Sequence, residues 1–159
     1  MDPALTDPAV FRRLAQYDAW ANRLLAEALM DEHARACRLL AHVAESELVW
    51  LRRIHGTQPA STTADFWPED DAEAVRARVV EAANAMGQFV MTLDAATLAR
   101  EAVYRNSQGT EYRTPVADVL HHVFLHSHYH RGQAAAALRE AGVAPPWTDY
   151  IAWVRAMGD

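Results

Sequence analysis

Three stretches of this chain place core-type residues at alternating intervals of four and three, a rhythm that only packed helices satisfy. Val10, Leu14, Tyr17, Ala21, Leu24 and Ala28 set it first. Val75, Val79, Ala82, Met86, Phe89 and Leu93 repeat it. Val119, Val123, His126, His130, Gln133 and Ala137 follow the same spacing. A strand would instead alternate every second residue. The spacing predicts a first helix over about Pro8 to Met30, with Asp7 as its cap, and a third over about Asp70 to Leu93. A fourth runs over about Pro115 to Ala141, with Thr114 as its cap and Gly142 as its stop. Between the first and third lies a second helix, about Glu32 to His55, ending at Gly56. Its seam reads Leu39, His42, Ser46, Val49, Arg53.

The expected fold is all-α: a four-helix bundle formed by one domain over residues 1–159. The stretch from Gly56 to Pro68 is long enough for a crossover after helix 2. Between helices 3 and 4, Glu101 to Arg105 alternates, Asn106 to Gly109 signals a turn, and Thr110 to Arg113 follows, which predicts a small β-hairpin. After Pro145-Pro146-Trp147, residues Thr148 to Met157 form a short amphipathic C-terminal helix.

Two of the four seams carry polar residues where the others carry Val, Leu, Phe or Met. Five of the eight histidines fall between His121 and His130. His122, His126 and His130 recur every four residues, so they share one side of the fourth helix. His42 on the second seam can face His126 and His130 across the core. Bundles build metal sites in this way. The plainer reading is a set of rings that are hydrogen-bonded in the core or solvated. His122 can replace His130 as a ligand or stand beside the site as a neighbour. His121 and His128 lie on another face, and His33 and His55 fall at helix ends, where exposure is expected.

Composition narrows the function. The net charge is −6, and the only paired basic residues are Arg12-Arg13 and Arg52-Arg53, so a nucleic acid footprint is absent. The apolar content of 51% argues against disorder. No apolar run reaches membrane-spanning length, and MDPALTDPAV does not resemble a signal sequence. The single cysteine, Cys37, cannot form an internal disulfide and reads as a small core residue. These features lead us to expect a cytoplasmic protein with no nucleic acid or membrane partner.

Three motifs carry a family likeness. YDAWANRLL at Tyr17 to Leu25, HVAESELVWL at His42 to Leu51, and HSHYHRGQ at His126 to Gln133 resemble the DinB/YfiT-like metalloenzymes, in order and over nearly the whole chain. The resemblance implies a four-helix bundle with a long crossover after its second helix. It implies one divalent metal ion (Zn, Ni or Fe) held by His42, His126 and His130. It also implies thiol-dependent chemistry with a low-molecular-weight thiol such as bacillithiol or mycothiol, and homodimers.

Three neutral imidazoles leave coordination positions open, the pattern of catalytic rather than structural sites. An open position can lower the pKa of a bound water or deprotonate a bound thiol. The leading expectation is therefore a metal-dependent S-transferase acting on small electrophiles. Its alternatives are a metal-dependent hydrolase and a non-catalytic, metal-stabilised dimeric stress-response protein. Glu45 can orient His42 or act as a base, although a solvated or salt-bridged role is the plainer one. Tyr17 and Trp50 can line a pocket or belong to the core. Arg131 can bind an anionic group or pair with an acid at a dimer interface. Gln133 can support His130, and Gly132 can allow a close helix approach.

Overall fold

Four long helices carry the fold in the computed structural model, which describes residues 7–57 and 66–157. They are α1 (Pro8–Glu27), α2 (Ala34–His55), α3 (Ala72–Met91) and α5 (Val116–Glu140), with a short α4 (Ala95–Ala99) after α3 and α6 (Tyr150–Met157) at the end. A two-stranded antiparallel hairpin, β1 (Glu101–Arg105) and β2 (Glu111–Pro115), precedes α5 and pairs Tyr104 with Tyr112. The all-α bundle with a small hairpin and a C-terminal helix is as the sequence predicts.

The helix ends follow local chemistry. The Asp7 carboxylate accepts the Ala9 N–H at 2.8 Å, and Pro8 sits in the first turn. Asp71 caps α3 in the same manner through Ala74 N–H. Gly56 and Gly142 close α2 and α5 with φ of 71° and 82°, a backbone state that other residues adopt at a cost. Thr114 is not a cap. It lies in β2, where its hydroxyl meets the Tyr104 hydroxyl at 3.2 Å, and α5 begins at Val116 with no side-chain cap.

Helix direction follows from which ends share a core. Leu25 of α1, Leu40 of α2, Val75 and Val79 of α3 and Leu138 of α5 pack at one end. Phe11, Ile54, Phe89 and Leu120 of the same helices pack at the other. So α1 and α5 point one way while α2 and α3 point the other. Parallel α2 and α3 require a connection that returns along the bundle, the expected crossover; its residues 58–65 lie outside the described residues. Each of α1 and α2 packs along both α3 and α5, whereas α1 and α2 meet only sparsely.

The seams of α2 and α3 run as predicted. On α5 a buried line runs through Leu120, Phe124, Ser127, Arg131, Ala134 and Leu138, one residue on from the predicted one, and His126, His130 and Gln133 are half-buried. The seam of α1 is displaced by one residue as well. Its buried line is Phe11, Ala15, Asp18, Asn22, Leu25 and Leu29, while Val10 is 42% exposed. The true seam is thus interrupted by polar residues as well. Between the two apolar ends lies a buried polar layer. Arg131 of α5 donates from Nη1 to Asp18 at 2.7 Å and to Asn22 at 2.9 Å, and from Nη2 to the Tyr17 hydroxyl at 3.1 Å. Ser127 donates to Asp18 at 2.6 Å, and the Asn22 amide donates to Glu47 of α2 at 3.1 Å. Burial first, then the neighbouring Asp18 carboxylate, holds the Glu47 carboxyl well above the usual carboxylate range.

Two predictions follow from this layering. Phe11→Ala should cost about 3–5 kcal/mol, and Val10→Ala less than about 0.5 kcal/mol; comparable losses in denaturant unfolding would refute the displaced seam. Glu47 has its folded pKa raised, so its protonated form supports the fold fully below the unfolded pKa of about 4.3. That support is lost as pH rises from there toward the folded value. Glu47→Gln keeps an acceptor for Asn22 and a donor for Asp18 without ionising. Its stability relative to the parent should therefore rise between pH 4.5 and pH 7 (about the span in which an ordinary glutamate ionises). A difference independent of pH would show that Glu47 is not held protonated.

Candidate metal centre

Residues four apart on α5 share a side, and His126 and His130 use that geometry to face His42 on the antiparallel α2. One ring nitrogen from each of the three comes within 4.8 Å of the others. His42 Nε2 and His126 Nε2 are 3.3 Å apart. Two nitrogens bound to one tetrahedral zinc at ~2.05 Å stand about 3.3 Å apart. The donor set and this spacing fit one divalent ion.

The outer nitrogens are fixed by the surrounding chain. His42 Nδ1 lies 2.6 Å from the Phe66 carbonyl, which can only accept, so the ring donates there and leaves Nε2 as a lone pair. His130 Nδ1 is 2.9 Å from Gln133 Oε1 and is oriented in the same way. Trp67 stacks on His42, with ring centres 3.7 Å apart and planes 3° from parallel, and stands edge-on to His130. Burial is the main cause that lowers the His42 pKa, and it also pushes His126 down to about 3, with the neighbouring histidines adding to it. His42 and His126 are therefore held toward the neutral form that coordinates a cation.

The structure sorts the other candidates. His122 is exposed and outside the three-nitrogen group, its ring 5.4 Å from that of His126 and 5.1 Å from Trp50. His121 leans on Phe11 and the Ala117 carbonyl, and His128 is exposed, so both stand apart from the cluster. His55 is exposed as expected, but His33 is buried: its Nδ1 accepts the Met30 N–H at 3.1 Å and closes the turn between α1 and α2. Glu45 is salt-bridged, to Arg52 at 2.6 Å and Arg78 at 2.7 Å. Arg131 is buried and paired within its own chain, which removes both roles considered for it. Gly132 is exposed with open space beside it, so no close approach depends on it. Tyr17 is core, its hydroxyl donating to the Thr148 carbonyl at 2.7 Å. Trp50 is half-buried and packs edge-on against Tyr104. Cys37 is buried, and burial raises its thiol pKa, as suits an unreactive core residue.

Phe66 and Trp67 are the parts of the site that helical periodicity does not reveal. They belong to the crossover, and their only signal is a pair of aromatic residues in a polar stretch. No helix among the described residues is long and apolar enough to cross a membrane.

The chain is 26% identical over 156 residues to Protein DinB of Bacillus subtilis (strain 168), covering 87% of this chain and 90% of that protein. The sequence profile of the DinB family matches residues 12–157, so it spans all three histidines and every element but the start of α1. The chain belongs to the DinB family.

Proposed function

We propose that this protein is a metal-dependent enzyme whose single divalent ion is held by His42, His126 and His130. We further propose that it acts as a thiol-dependent S-transferase on small electrophiles. The observation that supports this reading is the convergence of three imidazoles, two of which, His42 and His130, already have their outer nitrogens engaged. A divalent ion on three neutral imidazoles retains open coordination positions and makes a bound thiol or water acidic.

The protein's own part is positioning. The Phe66 carbonyl and Gln133 set the tautomers and ring planes of His42 and His130. Trp67 shields one face of His42 from water. Cys37 is buried and has no place in the reaction, so the thiol comes from a second small molecule. Zinc, nickel and iron all suit imidazole ligands. Homodimer formation and a cytoplasmic location belong to the same proposal; exposed Leu125 and Tyr129 on α5 offer an apolar face beside the site.

Tag-free protein should contain about one equivalent of divalent metal per chain, the stoichiometry of a single three-histidine site. His42→Ala, His126→Ala and His130→Ala should each lose it, while His122→Ala should retain it. Full metal content in His42→Ala would rule out a site shared by two helices. Cobalt-loaded protein titrated with bacillithiol, mycothiol, glutathione or cysteine should change its visible spectrum with at least one of them. An unchanged spectrum with all four would remove the thiol-transfer reading. Turnover with water alone would then favour a hydrolase, and metal loading that raises thermal stability without turnover would favour a metal-stabilised binding protein.

A further inference from the structure

Two arginines are buried in this bundle, and only one has a counter-charge. Arg131 is 1% exposed and has Asp18 at 2.7 Å. Arg53 is 6% exposed and has no carboxylate partner among the described residues. Its Nη2 lies 3.5 Å from the Arg105 carbonyl, and its Nε is buried with no hydrogen-bond partner. Its guanidinium is surrounded instead by rings, with Cζ 4.4 Å from the centre of Trp50, 5.0 Å from Tyr104 and 5.4 Å from Phe66. Aromatic rings attract a cation through their negative faces. They do not supply the acceptor atoms that a desolvated guanidinium fork requires.

The unpaired charge adjoins the imidazole cluster. Arg53 shares the α2 seam with His42. Phe66 touches both, with its carbonyl on His42 and its ring beside Arg53. On the other side, Trp50 packs against Arg53 and against His122, whose ring neighbours His126.

We propose that Arg53 is the anion-recognising residue of this site and that its ligand is a small organic carboxylate, carried by the substrate or by the thiol. This deepens the metal-enzyme reading and rests on it for the role of the bound molecule. A carboxylate is planar, carries one charge and offers two oxygens at the spacing of the guanidinium fork. A phosphate dianion would leave one charge uncompensated, since Arg53 is the only cation the three rings enclose among the described residues.

The test is calorimetric titration of metal-free and zinc-loaded protein with acetate, benzoate and inorganic phosphate in chloride-free buffer. Wild-type protein should bind benzoate and acetate in both forms and prefer them to phosphate. Arg53→Met should retain its zinc content and lose at least tenfold in benzoate affinity. If Arg53→Met does not fold, Arg53→Lys keeps the charge without the fork and should lose at least threefold. Equal benzoate affinity in wild type and variant, no carboxylate binding by wild type, or tighter binding of phosphate would each overturn the proposal. The two readings fail separately. Protein that binds zinc but no carboxylate keeps the metal site and loses Arg53, whereas benzoate binding through Arg53 in protein that takes up no zinc does the reverse.

Discussion

The buried Arg131–Asp18 pair fixes the arrangement on which the site depends. Apolar packing alone lets helices slide by a turn, because leucine meets leucine about equally well at each step. A guanidinium and a carboxylate enclosed between two apolar clusters have no such freedom. Any slip would leave a desolvated charge unpaired, at several kcal/mol. Tyr17, Asn22 and Ser127 bind the same pair, and Asn22 passes the connection to Glu47 on α2. Three of the four helices are thereby set in register at one level. That level is also where His126 and His130 leave α5, each one residue before Ser127 or Arg131. One side of α5 secures the register while the adjacent side presents the imidazoles.

Chain direction supplies the rest. Because α2 and α3 run parallel, the link between them must return along the bundle. On the way it brings the Phe66 carbonyl and the Trp67 ring onto His42. A short hairpin between antiparallel helices would have left His42 Nδ1 facing water and its tautomer undetermined. The orientation of one candidate ligand is thus a consequence of helix topology.

Much of this was legible in the residues. The spacing of three and four located all four long helices, and the alternation around Tyr104 and Tyr112 located the hairpin. His42, His126 and His130 stood out because they occupy positions that packing would give to apolar residues. The first seam was misplaced by one residue for a physical reason. Val10, Leu14, Tyr17 and Ala21 also follow the spacing, whereas the buried line includes Asp18 and Asn22, which resemble a solvated face. Only the partner on α5 makes them interior, and Arg131 is more than a hundred positions away. Gly132 and Thr114 misled in a related way. Each residue type has a common role, in close approach or in capping, but the neighbouring backbone here uses neither. Phe66 and Trp67 act through a carbonyl and a ring in an irregular segment, where no periodicity operates.

The same contrast between paired and unpaired charge separates what holds the bundle from what the bundle can bind. Arg131, with its carboxylate, amide and hydroxyl acceptors, is largely satisfied and has little capacity left for a ligand. The three histidines are the reverse case. Burial lowers the pKa of His42 and of His126, and the neighbouring rings add to it. Protonation therefore cannot relieve the concentration of lone pairs at their centre. A hydrogen bond between His42 and His126 would use one Nε2 as donor and occupy only the other's lone pair. Because His42 Nδ1 already donates to Phe66, His126 Nε2–H is the donor in that contact when both rings are neutral, and the His130 lone pair then has no share in it. A divalent ion at the centre takes a lone pair from each of the three rings, so beside the polar layer that sets the register the helices present a donor set that fits a cation.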